Sequence, residues 1–146
     1  MSSSTMAAAD VLFYVLETQD SASRLHFVCK LVQKIWHQNR QCDIFCQQSS
    51  ELAALDEAIW QYKPDAFIPH SVAQSLPAPI QLWEGQANSA CQDVLLNLHP
   101  NFPESFQVYQ RTIEVLDQSP ELIQRGRERW KKYKSLGFEP ILHKIS

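Results

Sequence analysis

The sequence predicts a single α/β domain with a mixed, mostly parallel sheet flanked by helices. Three observations predict it. Residues 11–16 (VLFYVL) are apolar on both faces, as in a strand at the centre of a covered sheet. Strand-period and helix-period segments then alternate, which is the signature of parallel strands joined by helical crossovers. Finally, 146 residues without an internal repeat or a low-complexity linker suffice for one domain with its own core and leave little room for a second. Residues 10–146 are expected to form that domain. Residues 1–9 are small and polar, lack the basic and apolar regions of a signal peptide, and read as a disordered extension, with Met6 an alternative start.

After the first strand, Ser21 or Ser23 is expected to cap a helix in which Phe27, Leu31 and Ile35 recur at helical spacing, ending near Asn39 and Arg40. Residues 42–46 read as a second strand. Ser49 and Ser50 then cap a helix that carries Leu52, Leu55 and Ile59 on one face, limited by Pro64. Residues 66–68 form a short apolar piece closed by Pro69, with surface loops expected over 71–79 and 84–92. Residues 80–83 and 94–98 are strand candidates, 102–109 a turn of helix, and 112–116 a further strand. Ser119, Pro120 and Glu121 open the last helix as capping serine, first-turn proline and dipole-facing acid. It should run to about Leu136, stop at Gly137, and give way to a last strand over 138–143.

This layout invites a nucleotide site, but the residues do not supply one. A phosphate loop needs clustered glycines after the first strand, and the chain has only three glycines, none of them there. The turn reads Glu17-Thr18-Gln19-Asp20, with two acids that repel phosphate. A small enzyme acting on nucleotides or phosphoesters would need polar residues converging at the strand C-termini, and no such set is evident. Cys42 and Cys46 flank Ile44 on one strand face without a second ligand pair, so they read as core thiols rather than zinc ligands. The histidines are scattered, and His70 reads as fixing a turn. No catalytic residue, metal or cofactor is expected. No apolar run approaches the length that spans a bilayer, and four sparsely spaced cysteines fit reduced thiols in a cytoplasm.

Two surfaces look like interfaces. The net charge of −3 conceals a segment, 125–146, that carries +5 and leaves −8 on the rest, so one terminal face is suited to an acidic partner. On its helix, Leu122, Gly126, Tyr133 and Gly137 share an arc that should face the sheet. Arg127, Lys131 and Lys134 share the adjacent arc, with Trp130 at the seam. An apolar wall with a cationic rim suits a peptide bearing acids and an aromatic anchor. Interleaved aromatic and basic residues also bind single-stranded nucleic acid directly, which is the alternative reading. The second surface gathers Trp60, Tyr62, Phe67, Ile68 and Pro69 on irregular, proline-broken chain.

The same stretches carry a resemblance. Leu55-Asp56-Glu57-Ala58-Ile59-Trp60, followed by Pro64, Phe67 and Pro69-His70, resembles the LDxxLW…F-x-PH signature of the chi subunit of bacterial DNA polymerase III. Arg127-Glu128-Arg129-Trp130-Lys131 with Tyr133 and Gly137-Phe138 is similar to that family's RERYK-x-Y…GF helix. Residues 13–16 and the region from Phe106 to Glu114 and Val115 align in the same order, so the similarity covers the chain after Met6. The resemblance implies a Rossmann-like fold without a nucleotide site and a non-enzymatic, cytoplasmic accessory subunit of the clamp-loader assembly. It implies pairing with the psi subunit, which tethers the protein to the clamp loader, and a separate contact with the acidic C-terminal tail of single-stranded DNA-binding protein that supports primer handoff. By position, Arg127, Trp130 and Lys131 would bind the tail. Trp60 and Phe67 would face psi, on a surface that a helicase-like alternative partner shares. Two positions depart from the pattern: Trp130 replaces a tyrosine, and Ile123 stands where a basic residue is expected, with Arg125 nearby as a substitute.

Overall fold

The computed structural model describes residues 9–62, 68–73, 78–85 and 91–145. Phe67, Pro64 and parts of the segments expected at 66–68, 71–79 and 84–92 lie outside the described residues, as do residues 1–8. The elements run β1 (Asp10–Leu16), α1 (Ser21–His37), β2 (Cys42–Cys46), α2 (Ser49–Gln61), β3 (His70–Val72), β4 (Ile80–Glu84), β5 (Val94–Asn97), a 3-10 turn (Phe106–Val108), β6 (Arg111–Leu116), α3 (Pro120–Ser135) and β7 (Ile141–Ile145). The strands form one sheet in the order β3-β4-β2-β5-β6-β1-β7. Every described pairing is parallel, so the antiparallel component expected of a mixed sheet is not found among the described residues.

Alternation along the strands divides the interior in two. Leu12 and Leu16 of β1 with Cys42, Ile44 and Cys46 of β2 pack against α1 and α2. Val11 and Phe13 of β1 with Phe45 of β2 and Leu95 of β5 pack on the opposite face, against α3 and the aromatic segment of Phe102 and Phe106. A period of two across a sheet covered on both faces leaves no polar side to the central strands, which is why they read as continuous apolar runs.

Several ends differ from expectation for identifiable reasons. Asp20, not a serine, caps α1: its carboxylate accepts the Ser23 N–H at 2.8 Å and the Ser23 hydroxyl at 3.0 Å. Helix α1 closes through Asn39 in the left-handed region (φ 58°), with the Asn39 N–H donated to the Trp36 carbonyl and the Arg40 N–H to the Ile35 carbonyl. Ser49 and Ser50 lie inside α2 rather than capping it. Glu51 instead reaches back to accept the Gln47 N–H at 2.9 Å. Ser119 does occupy the position before α3, but its hydroxyl donates to Asp117 rather than capping the helix.

The segment 71–79 is not all loop, since β3 begins it and pairs with β4. A three-residue strand is too short to show a period. The last strand starts three residues later than expected, after Pro140, because proline lacks an N–H for the ladder and restricts the residue before it. Gly137 does not face the sheet. It lies beyond α3 at φ 94°, is exposed, and closes the helix through hydrogen bonds from the Gly137 N–H to the Lys134 carbonyl and from the Phe138 N–H to the Tyr133 carbonyl.

Candidate interaction site

Helix α3 is fastened to the sheet by a buried polar cluster. Glu114 of β6 and Arg129 of α3 are both buried and pair at 3.0 Å. Glu114 also accepts the Tyr133 hydroxyl at 2.8 Å and the Asn97 side-chain N–H at 3.1 Å, and Arg129 donates to the Pro100 carbonyl at 2.7 Å. Burial raises the Glu114 carboxyl above its ordinary value, while Arg129 and the donors from Tyr133 and Asn97 act in the opposite sense. Arg129, counted in the net charge of the segment 125–146, is therefore an interior residue. A hint was available in Glu114, an acid in the middle of an apolar strand that required a partner. A second cluster lies across the same layer, where Asp43 accepts from Trp83 Nε1 at 2.9 Å and from the Tyr109 hydroxyl at 2.6 Å.

With Arg129 turned inward, the opposite flank of α3 opens a groove of about 470 Å³ against β1, β7 and the end of β6. Phe13, Val15, Leu116 and Leu142 form an apolar floor, and Ile123, Gly126 and Trp130 a wall. Arg127 and Lys131 stand at the rim, so the three residues singled out for tail binding do converge. Trp130 is half-buried, its ring edge-on to Phe13 with centroids 5.1 Å apart. Gly126 permits the close approach of α3 to β6: an added Cβ would lie 2.5 Å from Leu116 Cδ1. Arg125 does not substitute at Ile123. It lies on the other flank of α3, lining a separate groove with Phe102 and Lys132.

The second predicted surface is brought together only in part. Trp60 is 51% exposed, and its ring packs over His70 at 4.6 Å. His70 is buried, with Nε2 2.9 Å from the Asp56 carboxylate and Nδ1 2.7 Å from the Ile68 carbonyl, which fixes the turn into β3. Ile68 is core rather than surface, and Tyr62 packs half-buried against the α1–α2 layer.

The crevice expected of doubly wound sheets is present and polar, contrary to the sequence reading. Strands β1 and β6 are neighbours whose connections leave to opposite faces, and a cavity of about 360 Å³ lies at their C-terminal ends. Arg24, Arg125, Glu51, Asp117 and Glu121 line it. The chain's own acids occupy the helix N-termini around it: Asp20 at α1, Glu51 at α2, and Asp117, which accepts the Ser119 N–H at 2.9 Å, before α3. Arg24 is turned inward to donate to the Val115 carbonyl at 3.0 Å. Its desolvation lowers its pKa, as it does that of Arg125. No cluster able to hold a metal ion occurs among the described residues. Cys42 and Cys46 are buried, with the Cys46 thiol pushed by burial up to about 12.

Comparison with known proteins agrees with the resemblance. Residues 8–140 match the family described as DNA polymerase III chi subunit, HolC. DNA polymerase III subunit chi of Pseudomonas aeruginosa is 30% identical over 134 residues, covering 91% of this chain and 94% of the relative. The corresponding protein of Haemophilus influenzae is 28% identical over 130 residues (86% and 90%), and that of Escherichia coli 27% over 134 residues (86% and 91%). Among solved structures, the crystal structure of T4 UvsW overlays with a TM-score of 0.65 at 10% identity. It matches 94% of this chain but 41% of that one, a likeness of fold alone.

Proposed function

Because the chain belongs to the DNA polymerase III chi subunit family, whose members are accessory subunits of DNA replication, we propose that it acts as a non-catalytic adaptor with two protein-binding surfaces. One surface binds the acidic C-terminal tail of single-stranded DNA-binding protein, and the other pairs with psi and so reaches the clamp loader.

The observation that supports the first contact is the groove in which Arg127, Trp130 and Lys131 converge over a floor of Phe13, Val15, Leu116 and Leu142. A peptide ending in an aromatic residue buries its ring on that floor while its carboxylates meet the rim in charge-assisted hydrogen bonds. Complete ring burial contributes about 1.5–3 kcal/mol, and rim pairs are screened by salt, so the expected affinity is of order micromolar. The exposed Trp60, held by its packing on His70, supports placing psi on the far side of the molecule from the groove side of α3. Phe67 is assigned to that surface by family position, and a helicase-like partner would compete there.

The test is a fluorescence-anisotropy titration with a labelled nine-residue acidic peptide ending in Phe. Saturable, salt-sensitive binding is expected, lost when the Phe is removed and weakened in Arg127→Ala. Trp60→Ala should spare the peptide and weaken psi. Tight binding of oligo-dT with no peptide binding would overturn the adaptor reading in favour of direct nucleic-acid binding by α3.

A further inference from the structure

Strand β7 is the outer strand of the sheet on the groove side and, among the described residues, pairs only with β1. It is unusually apolar for an uncovered edge: Ile141 and Leu142 are 48% and 47% exposed, two of the five large hydrophobic side chains so exposed among the described residues. No proline interrupts it, and no residue beyond it covers it among those described. Edges of this kind accept a further strand.

The register says which groups are free. The Glu17 N–H donates to the Ile145 carbonyl, and Leu16 lies opposite Ile145. By the alternation of a parallel ladder, Ile141, His143 and Ile145 then turn their backbone groups toward β1, while Leu142 and Lys144 turn theirs outward. The side chains of Leu142 and Lys144 fall on the same face as Phe13 and Val15, opposite which they lie. Leu142 is therefore both floor of the groove and bearer of an N–H and C=O that turn away from β1, with no partner among the described residues, at the edge beside it.

We propose that β7 is a strand-addition site: an acidic peptide anchored in the α3 groove continues along β7, extending the sheet by one strand. This rests on the tail-binding reading and specifies how the residues preceding the anchor are held. Two features select an acidic peptide as the occupant. The edge runs directly into the groove through Leu142, and Arg127 and Lys131 of α3, with Lys144 on the same sheet face as Leu142, put positive charge along the path. A second copy pairing β7 with β7 about His143 would set Lys144 opposite Leu142 and leave the cationic rim of Arg127 and Lys131 without the counter-charge that an acidic peptide supplies.

The experiment combines amide hydrogen exchange with backbone-modified probes. With the nine-residue acidic peptide ending in Phe, exchange at Leu142 and Lys144 should slow, while Ile141, His143 and Ile145 change little because they are already bonded to β1. N-methylating alternate residues upstream of the Phe removes their N–H donors. In one of the two frames this should weaken binding about tenfold, and in the other leave it unchanged. A four-residue peptide ending in Phe should bind more weakly than the nine-residue form and leave the Leu142 and Lys144 amides unprotected.

If the nine-residue peptide binds and Arg127→Ala weakens it, yet neither N-methyl frame matters and both amides exchange as before, strand addition is overturned while the groove reading stands. Absence of any peptide binding overturns both. Protection of Leu142 and Lys144 that grows with protein concentration and needs no peptide assigns the edge to a second copy and overturns the proposal.

Discussion

At the scale of single residues, the two most consequential side chains of α3 are a pair that charge alone does not tell apart. Arg127 and Arg129 are two positions apart in one basic run, but two positions on a helix differ by about 200°, so one meets solvent and the other the Glu114 carboxylate. The run read as a charged face because charge alone does not tell a solvated guanidinium from one with a buried partner. Glu114→Gln leaves Arg129 buried without a counter-charge, so we expect a loss of about 3–5 kcal/mol in urea denaturation. Gly126→Ala has a different expected profile. The new methyl gains helix propensity of up to about 1 kcal/mol, but it must displace the Leu116 δ-methyl. Since Leu116 is part of the groove floor, stability should shift little while peptide affinity falls several-fold in the anisotropy titration. A large drop in Tm with unchanged affinity would contradict this division of effects.

At the scale of elements, strands flanked by apolar sequence were legible and those defined by a neighbour were not. Strand β2 was readable to the residue because all five of its positions are buried. Strand β3 exists by virtue of its ladder to β4, a long-range condition that a three-residue window does not encode. Helix caps show the same pattern: serines were the expected caps, yet Asp20, Glu51 and Asp117 accept the N–H groups of Ser23, Gln47 and Ser119, a carboxylate being the stronger partner at a positive dipole end. The end of α1 offers a clean test. Asn39 adopts φ 58° to close the helix, so Asn39→Gly should be neutral or stabilising by about 0.5 kcal/mol. Asn39→Val should cost about 1–2 kcal/mol by thermal denaturation, because a β-branched side chain resists that conformation.

At the scale of the whole molecule, the parallel sheet covered on both faces places three thiols where water does not reach: Cys29, Cys42 and Cys46. Burial pushes Cys29 up to about 11 and Cys46 to about 12, and Cys42 higher than its usual range. In the unfolded chain a thiol ionises near about 8.5. The folded values lie above the unfolded one, so this contribution to stability is complete below about pH 8.5 and is lost as pH rises beyond it. Each thiol then costs about 1.4 kcal/mol per pH unit until its folded value is reached. Urea midpoints should fall steeply between pH 8.5 and 10, and Cys46→Ala should flatten that slope. The overall α/β layout was legible because hydrophobic runs and crossovers are local signals. The polar crevice at the strand C-termini was not, because its arginines and acids come from three separate segments of the chain. That crevice carries a further implication. With Asp20, Glu51 and Asp117 seated at the helix ends where related architectures receive phosphate, ATP or GTP added at millimolar levels should leave the melting curve where it was. An adaptor built this way would keep its grip on its partners through swings in the cell's energy charge, and the timing of its exchanges would be left to those partners.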